Sequence, residues 1–198
     1  MARPRTFDED RALDTAMRTF WANGYEGTST RDLCDALNLD RSSVYNAFRS
    51  KHELFARALA RYIETMNAQQ LAILADPDLS AVARIRALFD RIIDTEFEHR
   101  RHGRGLGCLT VNSTVELAGR DERVTRMLDR DLAVRLDALR TVIEAGRAAG
   151  EVTSGRDADD LARFVNAVIA GMRVAAQGGA SRAALTAIAA TAVDALTA

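Results

Sequence analysis

The sequence predicts an all-α protein, and three observations carry that expectation. Proline occurs only twice in 198 residues, at Pro4 and Pro77. Alanine and leucine, both strong helix formers, are abundant throughout. Apolar residues recur at three- and four-residue intervals, and no stretch shows the two-residue alternation of a half-buried strand. At 47% hydrophobic and 28% charged, the chain has the apolar content to bury a core and too much of it to remain disordered.

The first helix is expected from about Asp8 to Ala22, with Leu13, Ala16, Met17, Phe20 and Trp21 on one face and Gly24 as its stop. Ser29 can cap a short second helix ending near Leu37, with Asp32 as the acidic half of a capping box. Asn38 follows, the non-glycine residue best suited to the left-handed backbone of a tight turn. Asp40 then caps a third helix, Arg41 to Phe48, and Ser50 with Glu53 caps a fourth that carries Leu54, Phe55, Leu59, Tyr62, Ile63 and Met66.

Beyond Pro77 the helices lengthen. One holds Val82, Ile85, Leu88, Phe89, Ile92, Ile93 and Phe97 on a broad stripe and ends in a basic loop from His99 to Gly105. A short helix from Cys108 to Ala118 is closed by Gly119, and a long amphipathic one runs from Asp121 to Ala149 before Gly150. Two more, Asp157 to Gln177 and Ser181 to Leu196, flank Gly178-Gly179, making about nine helices in total. The expected organisation is a three-helix head over residues 1–50 and a helical body over residues 51–198.

Several function classes drop out early. The net charge is −1, so any case for nucleic acid rests on where the basic groups stand rather than on bulk charge. Cys34 and Cys108 are far apart and suit a reducing cytoplasmic compartment. No apolar run approaches the roughly 20 residues needed to span a bilayer, so no membrane partner is expected. No Ser, His and Asp constellation, metal-binding cysteine cluster or phosphate loop is present, so catalysis, metal and cofactor are not expected. The basic loop reads as a solvated connection, with anion or metal binding through His99 and His102 as the minor alternative.

The second and third helices, joined by the three residues Asn38 to Asp40, match a helix-turn-helix. Arg41, Ser42 and Ser43 fall in the first turn of the second member, where short or flexible donors enter the major groove without backbone clash, and Asn46 lies one turn on. Tyr45 and Lys51 are placed for the phosphate backbone, with Arg31 in support. The Arg3-Pro4-Arg5 arm can track the backbone or a minor groove. A solvated helix face is the plain alternative for each of these residues taken singly.

Gly24-Tyr25, Thr28-Ser29, Asp32-Leu33 and the run Val44-Tyr45-Asn46-Ala47-Phe48-Arg49-Ser50-Lys51 resemble the N-terminal signature of the TetR family, over roughly residues 8 to 55. The sequence departs from that signature at Asn38, where glycine is usual, at Asp40, where serine is frequent, and at Ala47, where an aromatic residue or histidine often meets phosphate. The resemblance implies a cytoplasmic homodimer on double-stranded operator DNA, repressing transcription until a small-molecule effector enters the body. It also implies pairing of the last two helices with their dimer mates. Leu161, Phe164, Val165, Val168, Ile169 and Met172, with Leu185, Ile188, Ala189, Ala192 and Leu196, supply apolar faces broad enough for core and partner.

For the unidentified effector, the expected lining is Phe89, Ile93, Phe97, Cys108, Met127 and Phe164, with Asn112 and Glu116 as the directional polar groups. A satisfied structural hydrogen-bond pair is the alternative for the last two. Two other functions stand beside the leading one: a constitutive or architectural DNA-binding dimer with no effector, and a small helical enzyme or carrier.

Overall fold

A computed structural model describes residues 8–101 and 105–198. The Arg3-Pro4-Arg5 arm and residues 102–104, including His102, lie outside the described residues. Among the described residues there are nine α-helices and no strand. In chain order these are α1 (Glu9–Asn23), α2 (Thr30–Leu37), α3 (Arg41–Phe48), α4 (Lys51–Leu74), α5 (Ala81–Arg101), α6 (Leu109–Leu117), α7 (Glu122–Ala148), α8 (Ala158–Gln177) and α9 (Arg182–Thr197). The chain divides into two compact units, Met1–Glu64 with Leu109–Leu128, and Thr65–Cys108 with Asp129–Ala198. The head expected at residues 1–50 thus falls in a unit that continues to Glu64 and takes in a second, distant segment.

In the first unit, local chemistry sets the helix ends. The Asp8 side chain accepts from the amides of Asp10 and Arg11 at the start of α1. Gly24 ends the helix at φ 75° while its N–H donates to the Phe20 carbonyl at 2.8 Å, a conformation that a Cβ disfavours. Ser29 and Asp32 form the reciprocal capping box of α2. Asn38 takes the left-handed conformation at φ 52° and ψ 44°, and Asp40 caps α3.

The apolar faces meet around Phe20, Leu33, Phe48, Phe55 and Leu59, all fully buried. Phe20 and Phe55 pack edge to face at 5.1 Å, and Trp21 meets Tyr62 in the same way at 4.9 Å. Arg57 pairs with Glu9 at 2.7 Å and Arg61 with Asp14 at 2.5 Å, joining α4 to α1. These pairs are partly solvated, so they fix geometry more than they add stability.

The 109–128 segment is tied to this unit by three polar clamps. The Glu116 carboxylate accepts the backbone N–H of Tyr25 at 2.9 Å and of Glu26 at 2.7 Å. His52 Nε2 lies 2.5 Å from Asp121 Oδ2, and Arg123 donates to Glu53 at 2.5 and 3.1 Å. A Cβ at Gly24 would sit 3.1 Å from Glu116 Oε2, so glycine serves there both for its positive φ and for the approach of the carboxylate.

The second unit has its own core. Ile85, Leu88, Phe89, Ile92 and Ile93 of α5 pack with Leu161, Val165, Ile169 and Met172 of α8 and with Leu185, Ala189, Val193 and Leu196 of α9. Leu139, Val142 and Ile143 of α7 complete the cluster. A Cβ at Gly146 would come within 2.7 Å of Val152 and 2.8 Å of Ala81, so this helical glycine permits the close crossing. A buried ion pair, Arg173 Nη1 to Glu96 Oε1 at 3.3 Å, crosses from α8 to α5. Burial pushes the Glu96 carboxyl above its ordinary value despite the attraction of Arg173 and Arg100. Its Oε2 is buried and has no hydrogen-bond partner among the described residues.

Candidate nucleic-acid interface

In α3 the periodicity of eight residues sorts side chains by face. Val44 and Phe48 point inward at 3% and 1% exposure. Arg41, Ser42, Tyr45 and Asn46 are exposed, and Ser43 is half-buried. Two buried anchors one turn apart therefore hold the helix by one side and leave its first turn outward. The left-handed Asn38 and the Asp40 cap fix the angle at which that turn is presented.

Asp40 does more than cap. Its Oδ1 accepts the Ser43 N–H at 2.7 Å and the Ser42 hydroxyl at 2.6 Å, and its Oδ2 accepts the Ser43 hydroxyl at 3.1 Å. The Ser42 hydroxyl foremost, then the Ser43 amide and hydroxyl, hold the carboxyl below its usual value. The Arg41 guanidinium lies 5.5 Å from the Tyr45 ring centroid. Thr30 first, then Arg41, lower the Tyr45 phenol from its ordinary value.

Lys51, half-buried at the start of α4, has its Nζ 4.3 Å above the Tyr25 ring, a cation–π contact that steers the ammonium without neutralising it. Arg31 is exposed in the first turn of α2. All seven residues expected at DNA from the sequence thus lie in the first unit, on α2, α3 and the start of α4. The influence of Thr30 on Tyr45 and the serine-holding role of Asp40 were missed. Both depend on how side chains of neighbouring elements or turns are oriented, which spacing alone does not resolve.

The residues expected around an effector are divided between the units. Phe89 and Ile93 are buried in the second core, Phe97 packs against it, and Cys108 is buried. Phe97 carries guanidinium groups from Arg100 at 4.6 Å and Arg182 at 4.7 Å. Phe164 is 40% exposed on α8. Asn112, Glu116 and Met127 belong to the first unit, where the Glu116 carboxylate holds the Tyr25 and Glu26 amides. A cavity of about 220 Å³ between α5 and α9 is lined by Arg86, Phe89, Asp90, Thr186, Ala189 and their neighbours. Phe89 is the residue it shares with the expected set. Among the described residues, no group of three or more His, Cys, Asp or Glu is placed to hold a metal, and no helix is long and apolar enough to cross a membrane.

Two family models match the chain. One, described as bacterial regulatory proteins of the tetR family, covers residues 12–58. The other, a tetracyclin repressor-like C-terminal domain, covers residues 81–192. The HTH-type transcriptional repressor ComR of Escherichia coli (strain K12) is 32% identical over 189 residues, 96% of this chain and 89% of that protein. An uncharacterized HTH-type transcriptional regulator, YezE of Bacillus subtilis (strain 168), is 32% identical over 168 residues, 84% of each chain. Among solved structures, a cysteine-substituted TetR family transcriptional regulator, CifR, complexed with 26-base-pair double-strand operator DNA, superposes with a TM-score of 0.83 at 30% identity. That match covers 98% of this chain and 100% of that one.

Proposed function

The chain belongs to the TetR family of bacterial regulatory proteins, and from that premise we propose that it is a transcriptional repressor gripping operator DNA through α2 and α3. The observation that carries the reading is the first turn of α3. It is polar, outward and held by the buried pair Val44 and Phe48 on the opposite face. Ser42, Ser43, Asn46 and Arg41 read base edges in the major groove, while Tyr45, Lys51 and Arg31 take phosphates. Catalysis is no part of this reading, and a protein that acts on operator DNA works in the cytoplasm.

Two copies pair through α8 and α9. Phe164, Val174 and Ile188 are 40%, 54% and 39% exposed, and the exposed Ala167 and Gly171 lie between the first two, so a partner helix can approach closely. Dimer mates place two recognition helices about one turn of DNA, roughly 34 to 36 Å, apart, or readjust toward that spacing on binding. The relatives' repressor names support obstruction of transcription as the outcome.

A small molecule entering the body releases the operator by binding the DNA-incompetent arrangement more tightly, since equal affinity for both would shift nothing. Phe89, Ile93, Phe97, Cys108 and Phe164 share the second unit and are the candidates to line its site. An effector found by thermal-shift screening is expected to bind a Cys108→Ser protein more weakly while operator affinity without it stays unchanged.

The decisive experiment selects bound duplexes from a random pool with the full-length protein. A two-fold symmetric site with half-sites about one DNA turn apart is expected. Failure to enrich any sequence, with the protein folded and dimeric, overturns the assignment.

A further inference from the structure

We propose that Asp40 sets the base preference of α3: by committing the hydroxyl hydrogens of Ser42 and Ser43, it turns the helix's first turn into a cluster of acceptors that selects cytosine. The inference rests on the operator-binding reading and adds to it the chemistry of the base that is chosen.

A serine hydroxyl has one hydrogen to donate and two lone pairs to accept with, and its rotor ordinarily lets it serve either kind of base edge. Here that freedom is gone. An ionised carboxylate can only accept, so the 2.6 Å contact of Ser42 Oγ with Asp40 Oδ1 and the 3.1 Å contact of Ser43 Oγ with Oδ2 each place a serine hydrogen on Asp40. The Asp40 carboxyl lies below its ordinary value with the Ser42 hydroxyl as the first cause, which keeps it in the accepting form at neutral pH. What the exposed Ser42 offers to a facing base is therefore oxygen lone pairs, next to a full negative charge.

Guanine presents N7 and O6 in the major groove and thymine presents O4, all of them acceptors. Lone pairs against lone pairs repel. Adenine offers its N6 amino group beside the acceptor N7, whereas cytosine offers its N4 amino group with no acceptor on its own edge. Cytosine is thus the base that meets Ser42 and Asp40 without an opposing lone pair. The donors of this surface, Arg41 and Asn46, remain for other positions of the site.

The test compares full-length wild type, Asp40→Asn and Ser42→Ala in duplex selection, followed by binding titrations at several salt concentrations. Asparagine caps helices as well as aspartate, and its amide can donate to a serine, which frees a hydroxyl hydrogen for the DNA. Wild type is expected to recover cytosine at one position of each half-site, and Ser42→Ala to lose the preference at that position alone. Asp40→Asn is expected to accept guanine or thymine there, narrowing the discrimination by roughly tenfold. Ser42→Ala is exposed and leaves the cap intact, so it decides the matter even if Asp40→Asn folds poorly. A wild-type site with guanine or thymine at the Ser42-dependent position, the absence of any such position, or an Asp40→Asn protein that binds all sequences better with unchanged preference would each overturn the proposal while leaving operator binding standing. A wild-type pool with no recovered site would overturn operator binding itself.

Discussion

Replacing Glu116 by alanine tests whether α6 braces the turn between α1 and α2. The carboxylate accepts two backbone amides, at 2.9 Å from Tyr25 and 2.7 Å from Glu26. A hydrogen bond to a charged group contributes about 1.5–3 kcal/mol net when its partner cannot turn to water. Glu26 is exposed and its amide regains water, whereas Tyr25 is half-buried and its amide regains less. The sum expected for Glu116→Ala is therefore about 2 kcal/mol, well short of two full bonds. Glu116→Gln keeps one accepting oxygen and aims an NH₂ group at the second donor, so it is expected to lose about 1 kcal/mol. Trp21, the single tryptophan, lies on α1 beside Tyr62 and reports unfolding of this unit by fluorescence in urea. With a slope of about 1–3 kcal/mol per molar, the alanine protein should unfold about 1 M earlier and the glutamine protein about half as much earlier. An alanine protein with the wild-type midpoint would refute the brace. If it also lost effector response, Glu116 would belong to an effector site, as the sequence alone allows.

Three further outcomes are expected. Lys51→Ala should weaken binding to all duplexes alike and lower the salt dependence of log K by about 0.9, one phosphate's worth, and a changed base preference would refute its backbone role. Val174→Asp places a charge on the exposed apolar face of α8, so sedimentation at micromolar concentration should show monomers, and an intact dimer would move the interface elsewhere. Glu96 has its carboxyl raised on folding. Such a group favours the folded chain most fully below its unfolded value, about pH 4.3, and that contribution is lost as pH rises through the folded value. Urea midpoints of Glu96→Gln measured from pH 4 to 8 should lack this decline, and parallel profiles for the two proteins would count against it.

What the sequence disclosed was local. Ser29 with Asp32, Asn38 and Asp40 announce the turn between α2 and α3 because caps and left-handed residues act within four positions of themselves. Gly24, Gly119 and Gly150 mark helix ends for the same reason, and each has a positive φ. Expected ends lie within about two residues of those observed, as frayed termini allow. The brace at Glu116 was illegible because its partners are backbone amides 90 and 91 residues away, and amides leave no trace in residue type. Asn112 and Glu116 stand out as polar groups beside an apolar stripe, but whether such a group meets a ligand or its own chain depends on the tertiary arrangement. The buried pair of Glu96 and Arg173 was equally hidden, since a charge on an α5 helix whose ends are rich in charge looks solvated until its face is known.

The interleaving of the first unit has a consequence for synthesis and for engineering. Residues 1–64 leave the ribosome well before 109–128, and at about 5–20 residues per second the gap to residue 128 is roughly 3 to 13 seconds. Throughout that interval the Tyr25 and Glu26 amides, His52 and Glu53 await partners not yet made, so the nascent head lacks contacts that the finished one has. A chimaera cut at residue 50 or 64 and joined to a foreign body would carry that interval forward indefinitely. Grafting the head therefore requires carrying 109–128 along with it, or designing a body whose own α6 supplies a carboxylate at the place of Glu116.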